Sequence, residues 1–252
     1  MKPTSRQKLR VVTLRLAITA ILASPALAEN ADQILRQMSD TLAGSQHFTV
    51  KAHRTMDAAL TPGGIAVADA RIEAAVQRPN RLCAHSVGGG DARRFVFDGR
   101  TLTLHDEKNN LYASVPMRKS LDGLVDALDE DYGVTLPLAE FIMSNPYKDL
   151  RHQADTVTYL GRATHRTGVF SSGVECHRLA LSGKLADAEL WVGVADHLPY
   201  RLVATFKKHP DRPQLKAEFS SWNLGANISE KDFAFVPPEG ATKIEMVKQQ
   251  KN

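Results

Sequence analysis

Alternation of apolar and polar residues is the main pattern along the chain, and it is clearest between residues 187 and 222. Three alternating segments there are separated by short polar breaks at 194–197 and 209–213. A period of two indicates strands with one buried and one wetter face, and short breaks favour antiparallel neighbours. The region therefore predicts an antiparallel meander, and one of its faces carries Tyr200, Leu202, Ala204 and Phe206.

The same alternation recurs upstream and downstream of this meander. Asp98-Gly99, which lies between two alternating segments, is the strongest hairpin signal in the chain. The pattern predicts about ten strands in all. Outside the meander, the predicted strands cover residues 48–56, 65–77, 81–87, 93–97, 101–105, 111–115, 155–160, 174–181 and 233–235.

Helical spacing replaces the alternation in two places. Near the start, Asn30 can cap a helix that ends at Gly44, and its apolar face holds Ile34, Leu35, Met38 and Leu42. The second place is an insertion over residues 118–151, where a helix over 120–128 is followed by a run from Pro137 to Asn145-Pro146. The switch from period two to helical spacing and back predicts a mainly β (α+β) fold. We expect one strongly curved antiparallel sheet with the helices on its concave side.

The first 28 residues have the composition of an export signal. Five basic residues and no acidic residue precede residue 28, a short apolar run covers 16–22, and Ala26-Leu27-Ala28 forms an A-x-A cleavage site. The apolar run is far shorter than the roughly 20 residues that a membrane-spanning helix needs. We therefore predict a signal peptide over residues 1–28, cleaved after Ala28, and one soluble exported domain over 29–252.

The pI of 9.1 arises mainly from the basic residues of the predicted signal peptide. Without the five basic residues of the predicted signal peptide, 27 basic residues stand against 28 acidic ones. The remaining chain is close to neutral, so it lacks the basic footprint of a nucleic-acid-binding protein. We predict no nucleic-acid partner.

Cys83 and Cys176 are the cysteines of the chain. An exported protein meets an oxidising compartment, which permits a disulfide between them. Two separate buried thiols are the alternative, because cysteine is among the most buried residue types. The sequence leaves both possibilities open, since it does not show whether their strands are neighbours.

The residues that could carry chemistry form no recognisable site. None of the nine histidines belongs to an H-E-x-x-H motif, and none has a cysteine or carboxylate partner at the spacing of a metal site. The acidic cluster at 126–131 lacks the alternating oxygen ligands of a calcium loop. No nucleophile–base pair is recognisable either. The sequence therefore predicts neither an enzyme nor a cofactor or metal site.

Apolar surface remains as the candidate for a binding site. The two inserted helices could face the curved sheet across a cavity for an apolar ligand, although an ordinary core would show the same pattern. The adjacent basic residues Arg93-Arg94 and Lys207-Lys208 could contact an acidic head group, but ordinary surface charge is the simpler explanation. The candidate ligand-binding residues are Phe95, Phe97, Leu102, Leu104, Leu124, Leu128, Phe141, Ile142, Tyr200, Leu202 and Phe206.

Ten short motifs carry a resemblance to a known family. They are RPNRL at 78–82, FDGRTLTL at 97–104, DYG at 131–133, LPLA at 136–139, NPY at 145–147, GVEC at 173–176, ELWV at 189–192, LPYRLV at 198–203, AEFSSWN at 217–223 and FVPPEGA at 235–241. In these the chain resembles domain-of-unknown-function family 2092, a family of predicted exported bacterial proteins. The sequence departs from the family pattern at His177-Arg178, where the family more often has an acidic residue followed by His.

More distantly, the chain resembles the LolA, LolB and LppX class of periplasmic lipoprotein and lipid carriers. This resemblance implies a half-open antiparallel β-barrel whose concave side is filled by helices. It implies a non-catalytic periplasmic protein that binds or carries a lipid, an acyl chain or a lipoprotein. The alternative is an interaction or sensor protein whose half-barrel is filled by its own side chains and takes no ligand.

Overall fold

The computed structural model describes residues 30–60, 68–166 and 172–249, so the expected signal peptide and the first three residues of the strand predicted over 65–77 lie outside the described residues. Three α-helices lie in the described part: α1 (Ala31–Ala43), α2 (Leu121–Tyr132) and α3 (Pro146–Gln153). None of these helices is long and apolar enough to span a membrane. The strands described are β1 (His47–Met56), β2 (Asp69–Gln77), β3 (Arg81–Gly88), β4 (Asp91–Phe97), β5 (Thr101–Asp106), β6 (Leu111–Pro116), β7 (Thr156–His165), β8 (Val174–Ser182), β9 (Ala186–Gly193), β10 (Pro199–Phe206), β11 (Gln214–Asn223) and β12 (Thr242–Lys243).

All twelve described strands belong to one sheet, in the order β12-β6-β5-β4-β3-β2-β1-β11-β10-β9-β8-β7. Strand β1 lies in the middle, between β2 and β11, and joins the strands that follow it in sequence to the later meander. Every pairing is antiparallel except that of β12 with β6. Strands β7 and β12 are the two edges, so the sheet is not closed. The prediction of a mainly β fold with a single open sheet and packed helices is confirmed.

Helix α1 begins and ends where the sequence predicts. The side-chain oxygen of Asn30 accepts a hydrogen bond from the Asp32 backbone N–H at 3.0 Å, which caps the first turn. Gly44 follows the last helical residue. The apolar face predicted for α1 is buried, and Leu35, Met38 and Leu42 are 0% exposed.

The helical insertion is present, but its second half differs from the prediction. Pro137 does not begin an α-helix, because Leu138 has a positive φ of 67° and only a 3-10 turn, Ala139–Phe141, follows. Asn145-Pro146 begins α3 rather than ending a helix. The Asn145 side chain accepts a hydrogen bond from the Lys148 N–H at 2.9 Å, and Pro146 occupies the first helical position. Both residues favour these positions at a helix start.

The segment after β11, residues 224–249, forms a strap that crosses the sheet face opposite the helices. The predicted strand at 233–235 is wrong, because Phe233 ends a 3-10 turn, Glu230–Phe233, and the two residues after it belong to no strand. The ring of Phe235 packs 5.4 Å from the ring of His105 and 5.3 Å from that of Tyr112. Beyond β12, the Gln249 N–H donates to the Asp131 carbonyl at 2.7 Å. The strap therefore passes round the β6 edge and reaches α2.

The possible disulfide between Cys83 and Cys176 is not formed, and both cysteines are free thiols. Cys83 lies on β3 and Cys176 on β8, with five strands between them in the sheet. Neighbouring strands are about 4.8 Å apart, so the two thiols are too far apart to bond. Burial raises the pKa of Cys176 to about 12, which matches the alternative of a buried thiol.

Candidate functional site

The inner face of the sheet is the face on which α1, α2 and α3 pack. Residues paired directly across neighbouring strands point to the same face and form rows across the sheet. The covered row is the row that meets the helices, and its members are all 2% exposed or less. It consists of Phe48, Val76, Leu82, Phe97 and Leu102. The covered row shares one apolar core with Leu124 and Leu128 of α2.

The open rows lie on the same strands, two and four residues further from the helices. All their side chains remain partly exposed. The apolar open row consists of Ala74, Ala84, Phe95 and Leu104. The polar open row begins with one apolar residue and consists of Ile72, Ser86, Arg93 and Asp106. The inner face therefore passes from a packed core to a partly exposed apolar strip that ends in polar groups.

The helical insertion is tied to the β2–β3 turn, which lies at the end of the strands that carries the covered row. The Arg78 guanidinium donates from Nη1 to the carbonyls of Ile142 at 2.8 Å and Met143 at 2.9 Å. The Leu121 N–H donates to the Pro79 carbonyl at 2.9 Å. These bonds anchor the helical insertion, which forms a cover over the covered row, at the β2–β3 turn.

The eleven predicted ligand-binding residues do not form one group. Seven are buried together in the core, namely Phe97, Leu102, Leu124, Leu128, Phe141, Ile142 and Leu202. The ring of Phe141 packs edge-on against that of Phe219 at 5.0 Å. Phe95 and Phe206 are partly exposed and pack against this core, and Leu104 lies directly opposite Phe95. Four of the eleven, namely Phe95, Leu104, Tyr200 and Phe206, are therefore partly exposed, whereas the other seven are buried.

Tyr200 does not lie in line with Leu202 and Phe206, although its spacing in the sequence predicts the same face for all three. The pairing of β10 with β9 shifts between Pro199 and Arg201, which marks a β-bulge at Tyr200. The Tyr200 hydroxyl donates to Asp196 at 2.6 Å, and its ring lies 6.1 Å from the ring of His165. Burial and the Asp196 carboxylate raise the pKa of Tyr200. The Tyr200 hydroxyl is therefore bonded to the β9–β10 turn, while its side chain still packs against the apolar core.

Two polar groups in the polar open row have no hydrogen-bond partner among the described residues: Arg93 Nε and Ser86 Oγ, both buried atoms. Ser86 and Arg93 lie directly opposite each other across β3 and β4. Asp106 lies opposite Arg93 on β5, with its carboxylate 3.9 Å from Arg93 Nη2. That carboxylate accepts hydrogen bonds from the Asn109 N–H at 3.1 Å and from Asn109 Nδ2 at 3.0 Å. Asp106 is thus committed to its turn more than to Arg93.

Arg54 places a buried cation on the inner face of β1. It is 4% exposed and follows Phe48, Val50 and Ala52 in the same alternating series. Removal from water lowers the pKa of Arg54. With Arg93, it gives this apolar face two positive charges.

A separate cavity of about 270 Å³ lies between the strap and the opposite face of β4, β5 and β6. Its lining includes Phe233 and Phe235 of the strap and the hydroxyls of Thr103 and Ser114, which bond to each other at 2.8 Å. None of the eleven predicted residues lines this cavity. In the described part of the chain, no group of three or more His, Cys, Asp or Glu residues could hold a metal ion.

The sequence alone favours ordinary surface charge for Arg93 and does not indicate Ser86 or Arg54 as site residues. The structure separates the Arg93-Arg94 pair, because neighbours on a strand point to opposite faces. Arg94 faces away from the helices and contacts Glu107 at 3.3 Å, whereas Arg93 belongs to the inner face. The sequence contains a signal for this position, because Arg93 belongs to the same alternating series as Phe95 and Phe97 and therefore points to the same face of β4.

A model of a protein family, described as a predicted periplasmic protein (DUF2092), matches residues 31–247. No curated protein matches the chain.

The chain also matches solved structures. The complex of MucA and MucB from Pseudomonas aeruginosa matches at 15% identity and a TM-score of 0.45, covering 82% of this chain and 61% of that chain. The lipoprotein LppX from Mycobacterium tuberculosis matches at 13% identity and a TM-score of 0.47, covering 79% of this chain and 98% of that chain. A LolA superfamily protein from Nitrosomonas europaea matches at 14% identity and a TM-score of 0.36, covering 82% and 99%.

Proposed function

This chain belongs to DUF2092, a family of predicted periplasmic proteins, and we propose that it is a non-catalytic binding protein for an apolar chain such as the acyl chain of a lipid. The observation that carries the proposal is the contrast between neighbouring rows of the inner face. Phe97 and Leu102 are fully buried, whereas Phe95 and Leu104 on the same two strands stay partly exposed. This apolar strip adjoins the buried core, so its side chains are already partly shielded from water before a ligand binds.

Burial of the ligand supplies the driving force. Each methylene taken out of water contributes roughly 0.8 kcal/mol. The strip needs no chemistry to bind such a chain, because a largely apolar lining with a few placed polar groups is the usual form of a small-molecule site. Phe95, Leu104 and Phe206 are the candidate contacts that the helices leave accessible.

Binding of N-phenyl-1-naphthylamine, a neutral apolar dye, tests the proposal on delipidated protein. Wild-type protein should bind the dye saturably. Leu104→Asp should weaken binding by about tenfold or more, because it places a charge in the apolar strip. Val87→Asp is the matched control, since Val87 is 45% exposed on the opposite face. Absence of saturable binding, or equal losses in both variants, would overturn the proposal.

A second function is favoured by the covered row. Its side chains and those of the helices fill that half of the inner face themselves, as expected of an interaction or sensor protein that takes no ligand. The dye experiment separates the two functions, because a protein without a ligand site should show no saturable binding in wild type.

The proposed export rests on residues 1–28, and it predicts removal of this segment after Ala28. N-terminal sequencing of protein from the periplasmic fraction should give Glu29 as the first residue. An intact Met1 in that fraction would contradict the proposed cleavage.

A further inference from the structure

The polar open row adds donors to the end of the apolar strip. Ser86 Oγ and Arg93 Nε are buried and unpartnered among the described residues, and they lie opposite each other on adjacent strands. Arg93 is two residues from Phe95 on the same face, so the donors adjoin the strip directly. A buried donor without an acceptor is unfavourable, and the Arg93 side chain is 30% exposed, so a group that supplies acceptor oxygens can approach its guanidinium from solvent.

The charge at this place favours an anion over a neutral acceptor. Arg93 has one acidic residue opposite it, and the 3.9 Å separation from Asp106 exceeds hydrogen-bond distance. The Asp106 carboxylate is already bound by Asn109. A guanidinium binds carboxylates and phosphates through charge-assisted hydrogen bonds, and Arg93 keeps that capacity.

We infer that the ligand is an anionic amphiphile, with its acidic head group bound by Arg93 and Ser86 and its apolar chain lying along Phe95 and Leu104. The inference rests on the proposed function, because the chain must bind for the head group to be placed. The head group meets the Arg93 charge and the Ser86 hydroxyl at the end of the strip away from the helices. Carboxylate and phosphate share this chemistry.

Displacement of N-phenyl-1-naphthylamine by three ligands of equal chain length tests the inference: dodecanoate, dodecyl phosphate and dodecanol. Wild-type protein should bind at least one of the two anions about tenfold more tightly than dodecanol at low salt. The stronger anion identifies which head group the site prefers. Arg93→Gln should abolish the preference and leave the dodecanol affinity within about twofold of wild type. Ser86→Ala should reduce the preference by a smaller factor.

Arg94→Gln is the matched control, because Arg94 is the neighbouring residue on the opposite face. It should keep the full preference for the anion. Equal binding of the anions and dodecanol by wild type overturns the anionic head group while the apolar site stands. Failure of all three ligands to displace a bound dye, or of the dye to bind, overturns both proposals. Neither result depends on whether Arg93→Gln folds.

Discussion

Strands β4 and β5 each pass through two regions of the inner face, the buried covered row and the partly exposed apolar open row. Phe97 and Leu102 share one apolar core with Leu124 and Leu128 of α2 and are 0% exposed. Phe95 and Leu104 lie two residues away, point to the same face, and remain partly exposed. The buried pair lies at the end of the inner face where Arg78, in the β2–β3 turn, holds the helical insertion, and the partly exposed pair lies further from that anchor.

The same side-chain alternation therefore makes a core in one region and a candidate site in the other. Strand sequence decides which face a side chain points to, because successive residues alternate. The strand sequence does not decide how much of that face the helical insertion covers. The polar residues Arg93 and Asp106 mark the point where the apolar face ends.

The largest expected effect compares Phe97→Ala with Phe95→Ala. Loss of Phe97 leaves a cavity in a packed core and should lower the free energy of unfolding by about 3–5 kcal/mol. Loss of Phe95 should cost less than about half of that, because its side chain is already partly exposed and leaves no closed cavity. Urea denaturation of both variants measures the difference. Equal losses would show that the two regions are one core.

The sequence was sufficient for the features that depend on local chemistry. Asn30 and the apolar face of Leu35 and Leu42 predicted α1 correctly, and Asp98-Gly99 predicted the turn between β4 and β5. In that turn Gly99 has a φ of 88°, and the Asp98 side chain accepts from the Arg100 and Thr101 N–H groups at 2.8 and 2.7 Å. Glycine adopts a positive φ at little cost, which explains the strength of the signal.

Features that depend on pairing or on distant contacts were not predictable. The bulge that removes Tyr200 from its row is an extra residue in the ladder, visible only once β9 and β10 are paired. Asn145-Pro146 fits either the end of one helix or the start of another, and the structure selects the start. The partition of the eleven candidate residues into core and accessible strip likewise depends on the position of the helices.

A smaller effect is expected from loosening the cover with Asn145→Ala. This removes the cap of α3, which should cost about 1 kcal/mol because the Lys148 N–H loses its acceptor at 2.9 Å. Hydrogen exchange of the α3 amides should accelerate while exchange in β4 and β5 changes little. Asn227→Ala, at an exposed position, is the control. Equal acceleration in α3 and in the strands would mean that cover and sheet open as one unit.

The smallest expected effect concerns acid titration in the polar open row. Burial opposes ionisation of Asp106, but hydrogen bonds from Asn109 and the charge of Arg93 outweigh it and lower the pKa of this carboxyl. A folded-state pKa below the unfolded value means that ionised Asp106 stabilises the fold above about pH 4. That contribution is lost as the pH falls through the lowered pKa.

Arg93→Gln should therefore raise the pKa of Asp106, because one of the interactions that favour the carboxylate is removed. The fold should then begin to lose stability at a higher pH on the acid side, while stability at neutral pH changes only slightly, as expected for a partly exposed pair. Carbon-13 chemical shifts of the Asp106 carboxyl, followed against pH, measure the pKa directly. Arg94→Gln should leave it nearly unchanged, because Arg94 pairs with Glu107 on the opposite face. An unshifted Asp106 pKa in Arg93→Gln would show that the hydrogen bonds within its own turn lower this pKa without Arg93. Arg93 would then be electrostatically independent of its neighbour and fully available to an anion.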